Sequence, residues 1–168
     1  GTVNLLDALL QLKGLKAIIV ITTDKVYKHN SYHRPYKEID PLGGKDPYSA
    51  SKAASEIATS SYFESFFLEK KIPIATARSG NVIGGGDWAK HRLIPDAIRA
   101  WSKKRALIIR KPNAIRPWQH LLEPLSAYLL LAKSICEDIN LSGAHNFASS
   151  LTDCITVRDL ILLTKRYY

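Results

Sequence analysis

The sequence predicts an α/β fold built on a largely parallel sheet, and three observations carry that expectation. Strand and helix signals alternate from one end of the chain to the other, the pattern that separates α/β proteins from helical bundles. The chain has 168 residues, the size of one ordinary domain. It is 46% hydrophobic and 23% charged, enough apolar material for a packed core.

Each element follows from local pattern. Val3, Leu6 and Leu10 recur at helical spacing within residues 2–12, and Gly14 is placed to stop that helix. Residues 17–23 read as a buried strand, opened by the apolar run Ala17 to Ile21. Residues 28–47 are polar and interrupted by Pro35, Pro41, Gly43, Gly44 and Pro47, a loop long enough to be functional. From Tyr48 to Lys71 there is neither Gly nor Pro, and small residues alternate with aromatic ones, which predicts one long helix. A second buried strand is expected at 73–77, running on into the turn Gly84-Gly85-Gly86. A helix over 93–104 tolerates Pro95 in its first turn. Short strands are expected at 106–110 and 118–122, a helix from Pro124 to about Ile139, and a strand at 144–148. Thr156 and Asp159 have capping-box spacing ahead of a final helix.

Lys and Arg number 24 against 15 Asp and Glu, a net charge of +9, which suits a phosphate-bearing ligand, a nucleic acid or an acidic membrane surface. The basic residues are spread along the chain rather than clustered with aromatics, so no nucleic-acid partner is expected. No apolar run reaches the roughly 20 residues that a membrane span needs, and no secretory leader precedes the first elements, so no membrane partner is expected either. Cys136 and Cys154 lack metal-ligand spacing and a nearby His, which excludes a disulfide scaffold and suits a reducing compartment such as the cytoplasm. No metal is expected. The sequence has no methionine, so the chain is expected to be a piece of a longer protein.

Chemistry concentrates in two places. Tyr48 and Lys52 stand four apart in the expected helix, so both side chains share one face. Bringing a tyrosine from its ordinary pKa near 10 to about 7 takes roughly 4 kcal/mol of differential stabilisation of the phenolate, and an adjacent ammonium is a direct source. The first apolar strand ends in Thr22, Thr23, Asp24 and Lys25, and α/β sheets place ligands at strand carboxyl ends. Together these residues supply a hydroxyl, a carboxylic acid and an ammonium, the parts needed for proton transfer on a polyol. The run Arg78-Ser79-Gly80-Asn81 before the three glycines does not match the dinucleotide fingerprint, so Gly84-Gly86 is either a tight turn or a close backbone approach to a ligand. His29, His33, His91 and His120 are expected as surface or packing residues, and Trp88, Trp101 and Trp118 as core or pocket wall.

With these residues in hand, the chain resembles the extended short-chain dehydrogenase/reductase enzymes, also called the NAD-dependent epimerase/dehydratase family. Thr23-Asp24-Lys25 with Tyr48 and Lys52 is similar to that family's catalytic set. Residues 22–27, 46–52, 80–95 (GNVIGGGDWAKHRLIP) and 115–124 (IRPWQHLLEP) resemble its CDP-glucose 4,6-dehydratase branch, and the similarity runs over nearly the whole chain. Lys25 stands where the thymidine-sugar branch carries Glu, which favours the cytidine branch. His145-Asn146-Phe147-Ala148-Ser149 departs from the family's Trp-Asn-Phe-Gly-Pro.

The resemblance implies a partial Rossmann-type, doubly wound parallel sheet plus part of a smaller sugar-nucleotide-binding region. Residues 1–82 would be the C-terminal part of the NAD-binding domain, and 83–168 mostly substrate-binding with returning Rossmann elements. The strand, glycine loop and helix that hold the NAD pyrophosphate would lie upstream of Gly1, so the chain by itself is expected to be inactive and to bind NAD very weakly. The implied reaction is the NAD-dependent conversion of CDP-glucose to CDP-4-dehydro-6-deoxyglucose, feeding deoxysugar and lipopolysaccharide synthesis. Tyr48 would be the base at the sugar 4-OH, assisted by Thr23 and by Lys52; Tyr48 and Lys52 would also touch the cofactor. Asp24 would be the acid for the departing 6-OH and Lys25 the group handling the C5 proton. Arg92, Arg110 and Arg116 would surround the diphosphate, Asn81 and Asn146 would hydrogen-bond phosphate or sugar, and Leu93, Ile94 and Pro95 would line the base. The whole protein is implied to be a homo-oligomer. Other classes compete: a dehydratase or epimerase on another nucleotide sugar, or an inactive remnant. Asp24-Lys25 argues against a simple epimerase, which needs no acid for a 6-OH.

Overall fold

The structure, a computed structural model, describes residues 1–29, 34–150 and 154–168. They divide into two compact units, residues 1–79 with 124–147 and residues 80–123 with 148–168.

The first unit is built on three parallel strands, β1 (Ile18–Ile21), β2 (Ile74–Ser79) and β5 (Gly143–Phe147), in the order β1-β2-β5. Ile18 pairs with Ile74 and Ala75 with Gly143. All six residues of β2 are buried, as expected of a central strand with both faces covered. Alternation along β2 sends Ile74, Thr76 and Arg78 to one face and Ala75, Ala77 and Ser79 to the other. On the first face Ile74 joins Leu6, Ile18 and Phe67 in a core. This brings in α1 (Thr2–Leu9) and α2 (Pro47–Tyr62). On the second face Ala75 and Ala77 pack with Leu131 and Ile135 of α4 (Leu122–Glu137). The buried strand expected at 17–23 is open at one end: Ile21 is 50% exposed, β1 being an edge among the described strands.

The single helix expected over 48–71 is two pieces. The α-helical turns end at Tyr62 and a π-helical turn spans Phe63–Phe67. The wider turn rotates the following side chains, and Phe67 arrives fully buried among Leu6, Ile18 and Ile74. Core packing therefore overrides the uniform helical propensity of the segment.

In the second unit β4 (Ile115–His120) lies between β3 (Asn81–Ile83), parallel to it, and β6 (Cys154–Thr156), antiparallel. The strand expected at 106–110 does not form: the segment pairs with none of the strands, and Ile108 there remains 87% exposed. Helix α3 (Leu93–Ser102) begins with Pro95 in its first turn, as expected. Helix α5 (Val157–Arg166) starts from Thr156, whose hydroxyl accepts from the Asp159 amide at 3.1 Å and donates to its carboxylate at 2.6 Å. This is the anticipated N-cap, with the Asp159 carboxylate bonded to the capping hydroxyl rather than to the Thr156 backbone amide. In the glycine turn, a Cβ on Gly84 would fall 2.8 Å from Leu121, and Gly86 has φ +80°. A close approach of Leu121 and a left-handed turn account for both glycines. Trp88 is 63% exposed, contrary to the expectation of core or wall, because the polar stretch around it offers no apolar partner layer. His120 packs locally, its Nδ1 accepting from the Leu122 amide at 3.2 Å, whereas His33 lies outside the described residues. Among the described residues no helix is long and apolar enough to cross a membrane, no acidic, His or Cys cluster could hold a metal, and both cysteines are free.

Candidate active site

The first unit brings five of the candidate residues to the carboxyl edge of its sheet. Directly after β1 the chain turns into a short 3-10 helix, Asp24–Val26, with buried Thr23 as its N-cap. The Thr23 hydroxyl donates to Asp24 Oδ1 at 3.1 Å and accepts from the Lys25 amide at 3.4 Å. One short turn thus presents the hydroxyl, carboxylate and ammonium side by side.

Helix α2 supplies the other half. Asp46 caps it through the Ser49 amide and hydroxyl, at 3.1 and 2.6 Å, and these bonds hold the Asp46 carboxyl below its ordinary range. Pro47 fills the first helical position, where no amide hydrogen is needed. Gly44 lies against this turn: a Cβ there would meet the Ala50 nitrogen at 2.3 Å. Only a glycine allows the incoming chain to lie flat against the turn that carries Tyr48. Tyr48 is half-exposed, and the Lys25 ammonium stands 6.0 Å from its ring centroid. Lys52, one turn on, donates from Nζ to the Ile21 carbonyl at 3.1 Å, the last residue of β1. Tyr48, Lys52, Thr23, Asp24 and Lys25 therefore form one group on adjacent elements.

Beneath them lies a polar network that sequence reading did not single out. Glu56, one further turn along the Tyr48-Lys52 face of α2, is 4% exposed. Its carboxylate accepts from the Thr22 hydroxyl, from Thr76 Oγ1 at 2.5 Å, and from Arg78 Nε and Nη2 at 2.9 and 2.8 Å. Burial works to raise this carboxyl, but the Arg78 guanidinium and the two hydroxyls outweigh it and hold the group below its ordinary range. Arg78 in turn donates to the Tyr27 hydroxyl at 2.9 Å and to the Glu38 carbonyl at 3.1 Å. Tyr27 stacks on Tyr36 with ring centroids 4.7 Å apart. Burial raises the Tyr27 phenol against the opposing pull of Arg78. The signal was present: a Glu on the inward face of a helix and an Arg inside a buried apolar strand require each other, since neither charge can be buried alone.

Asn146, expected on phosphate or sugar, is a member of this network. Its Oδ1 accepts from Tyr27 at 2.5 Å, its Nδ2 donates to the Tyr36 carbonyl at 3.2 Å, and its amide donates to Glu38 at 2.9 Å. Farther out, Arg34 and Asp40 pair at 2.7 Å; the Arg34 bond, with the Lys37 amide, lowers the Asp40 carboxyl to about 2.

The other substrate candidates belong to the second unit. Asn81 opens β3 and is half-buried; Arg92 is the N-cap position of α3, followed by half-buried Leu93 and Ile94. Arg110 is exposed in the irregular stretch before β4. Arg116 is exposed on β4, its Nη1 donating to the Ile115 carbonyl at 3.1 Å.

Comparison with known proteins identifies the family. The family model described as "NAD dependent epimerase/dehydratase family" matches residues 1–142. CDP-glucose 4,6-dehydratase of Salmonella typhimurium is 43% identical over 96% of this chain and 46% of its own length. A dTDP-D-glucose 4,6-dehydratase of Dictyostelium discoideum is 33% identical over 79% of this chain and 32% of its own. The chain therefore spans at most about half the length of these relatives. Among solved structures, UDP-N-acetylglucosamine 4-epimerase of Methanobrevibacter ruminantium superposes with TM-score 0.82 at 24% identity, covering 98% of this chain and 50% of that one. The dTDP-glucose 4,6-dehydratase DesIV of Streptomyces venezuelae, with NAD and TYD bound, gives 0.76 at 22%, covering 96% and 47%. These likenesses confirm the Rossmann-type α/β fold.

Proposed function

The chain belongs to the NAD dependent epimerase/dehydratase family, and from that premise we propose that it carries the catalytic residues of a CDP-glucose 4,6-dehydratase. The observation that carries this most directly is the Lys52 bond to the Ile21 carbonyl, which sets the Tyr48-Lys52 face of α2 against the strand end that delivers Thr23, Asp24 and Lys25. The identity to the Salmonella enzyme supports the cytidine sugar over its thymidine counterpart.

The donor set fits the nicotinamide end of NAD: a half-exposed phenol and an ammonium at the carboxyl edge of a parallel sheet, able to hydrogen-bond ribose hydroxyls. NAD, when bound, supplies the two-electron acceptor that takes the C4 hydrogen and later returns it to C6. Tyr48 accepts the 4-OH proton, with Lys52 one turn away on the same helix face. The Thr23 hydroxyl orients that same oxygen. The resulting 4-ketone makes the C5 hydrogen acidic. Lys25 takes the C5 proton while Asp24 protonates the departing 6-OH, so one water leaves and the C5–C6 double bond forms. Lys25 then returns a proton to C5 as C6 is reduced. The second unit's Asn81, Arg92, Leu93, Ile94, Arg110 and Arg116 are proposed to hold the nucleotide diphosphate, with Arg forks matching paired phosphate oxygens. Asn146 acts instead through the Tyr27-Tyr36 segment that it braces. Apolar Val3 and Leu5 on α1 and Ile57 on α2 are exposed, which supports a homo-oligomer of the whole protein. A role in deoxysugar synthesis for surface polysaccharide follows from the product.

The test is turnover by the complete gene product with NAD and, in parallel, CDP-, dTDP- and UDP-glucose, followed by NMR for loss of the C6 hydroxymethyl and gain of a C6 methyl. Preference for CDP-glucose is expected. Inversion at C4 without a methyl signal would make the protein an epimerase.

A further inference from the structure

We infer that Glu56 and Thr22 are positioning residues of the candidate active site, setting the register of α2 against the end of β1. The inference rests on the function proposed above. Two bonds join the same two elements one residue and one helical turn apart: Lys52 holds the carbonyl of Ile21, and Glu56 holds the hydroxyl of Thr22. Four residues on a helix advance about 6 Å, and one residue on a strand about 3.3 Å, so the two bonds together fix rotation and sliding of the helix where one would leave a pivot. The next residue along the chain is Thr23, the N-cap of the turn that carries Asp24 and Lys25. Lys52 and Tyr48 are one and two turns back along the helix from Glu56, so a slip at Glu56 is carried to both.

The Glu56 carboxylate is suited to this task and to little else. It is 4% exposed and accepts four hydrogen bonds, two from Arg78, so it is neither a free base nor a ligand for solvent. Arg78 holds it ionised and rigid, and its own remaining bonds run to Tyr27 and the Glu38 carbonyl. Thr76 is the internal contrast. Its hydroxyl meets the same carboxylate with comparable burial but from β2, which carries none of the five candidate catalytic residues. Loss of the Thr22 hydroxyl frees α2 from the catalytic strand, whereas loss of the Thr76 hydroxyl frees it only from the neighbouring one.

Thr22→Val and Thr76→Val, near-isosteric removals of a buried hydroxyl, separate positioning from stability, and Thr22→Ser restores the donor. In the NAD-loaded complete gene product turning over CDP-glucose, Thr22→Val is expected to lower kcat about tenfold with KM within twofold, Thr76→Val to lower kcat less than threefold, and Thr22→Ser to recover most of the loss. Amide hydrogen exchange on the same variants reads register without catalysis. There Thr22→Val is expected to speed exchange at residues 23–26 and in the first two turns of α2, and Thr76→Val is not. Equal effects of the two valine variants, or a loss confined to KM, would overturn the inference. Should the wild type turn over no nucleotide sugar, the proposed function falls, while the exchange comparison still decides whether Thr22 and Glu56 set the register.

Discussion

Replacing Arg78 by Met leaves the Glu56 carboxylate buried with only two hydroxyl donors, and the cost follows from what the structure leaves behind. Both partners of the ion pair are 3% exposed at their side chains, so water cannot take over from the guanidinium. Removing one partner of a buried pair costs about 3–5 kcal/mol, a large share of the 5–15 kcal/mol that holds a domain together. At an m-value of about 2 kcal/mol/M, this is a fall in the urea midpoint of about 2 M. Circular dichroism is the appropriate signal, because Trp88, Trp101 and Trp118 all lie in the other unit. The pH dependence has a definite sign. In the wild type the Glu56 carboxyl is lowered on folding, so its contribution is present above the ordinary carboxylate pKa and is lost as pH falls through the folded value. In Arg78→Met burial is opposed only by the Thr22 and Thr76 hydroxyls, and the folded pKa rises; the penalty is then largest at neutral pH and disappears below the unfolded pKa. The gap between variant and wild type must therefore narrow from pH 7 to pH 4. Glu56→Met combined with Arg78→Met, which buries no charge, should cost less than Arg78→Met alone. A single variant within 1 kcal/mol of wild type, or a gap that does not narrow on acidification, would refute the account.

Three further outcomes are expected. Tyr48→Phe in the complete gene product should lower 4-oxidation by about 10²–10⁴ while binding of the nucleotide sugar, measured by calorimetry, survives; turnover above a tenth of wild type would remove Tyr48 as the base. Asp24→Asn should leave oxidation at C4 comparatively intact and stall elimination, seen as reduced-nicotinamide absorbance building up after CDP-glucose is added, and unimpaired product without that signal would take Asp24 out of the acid role. Gly44→Ala should destabilise the first unit by more than about 1 kcal/mol in urea and lower kcat, since its new Cβ meets backbone at 2.3 Å in the turn bearing Tyr48; wild-type stability would show that this turn yields freely.

What the sequence disclosed and what it hid divide along one physical line. Features written in local spacing were legible: the Tyr48-Lys52 face, the capping pair Thr156 and Asp159, the polar end of the first strand, the glycine turn. Features that depend on what a segment packs against were not. The stretch 106–110 has strand composition but pairs with no strand, and the helix after Tyr62 widens because Phe67 has to reach Leu6 and Ile74. The Glu56-Arg78 pair falls between the two. Each residue looked ordinary in its own window, and only their burial together, 22 positions apart in the chain, gives them meaning. Asn146 illustrates the consequence. Resemblance assigned it to the substrate, whereas its amide is engaged at both ends by Tyr27 and Tyr36, which Arg78 and stacking hold in place. The candidate catalytic residues stand at the edge of the sheet, and the Glu56-Arg78 pair that braces their helix lies one layer below them. A substitution there should alter the chemistry without altering a single proposed substrate contact, so Thr22, not a surface arginine, is the most informative position to change.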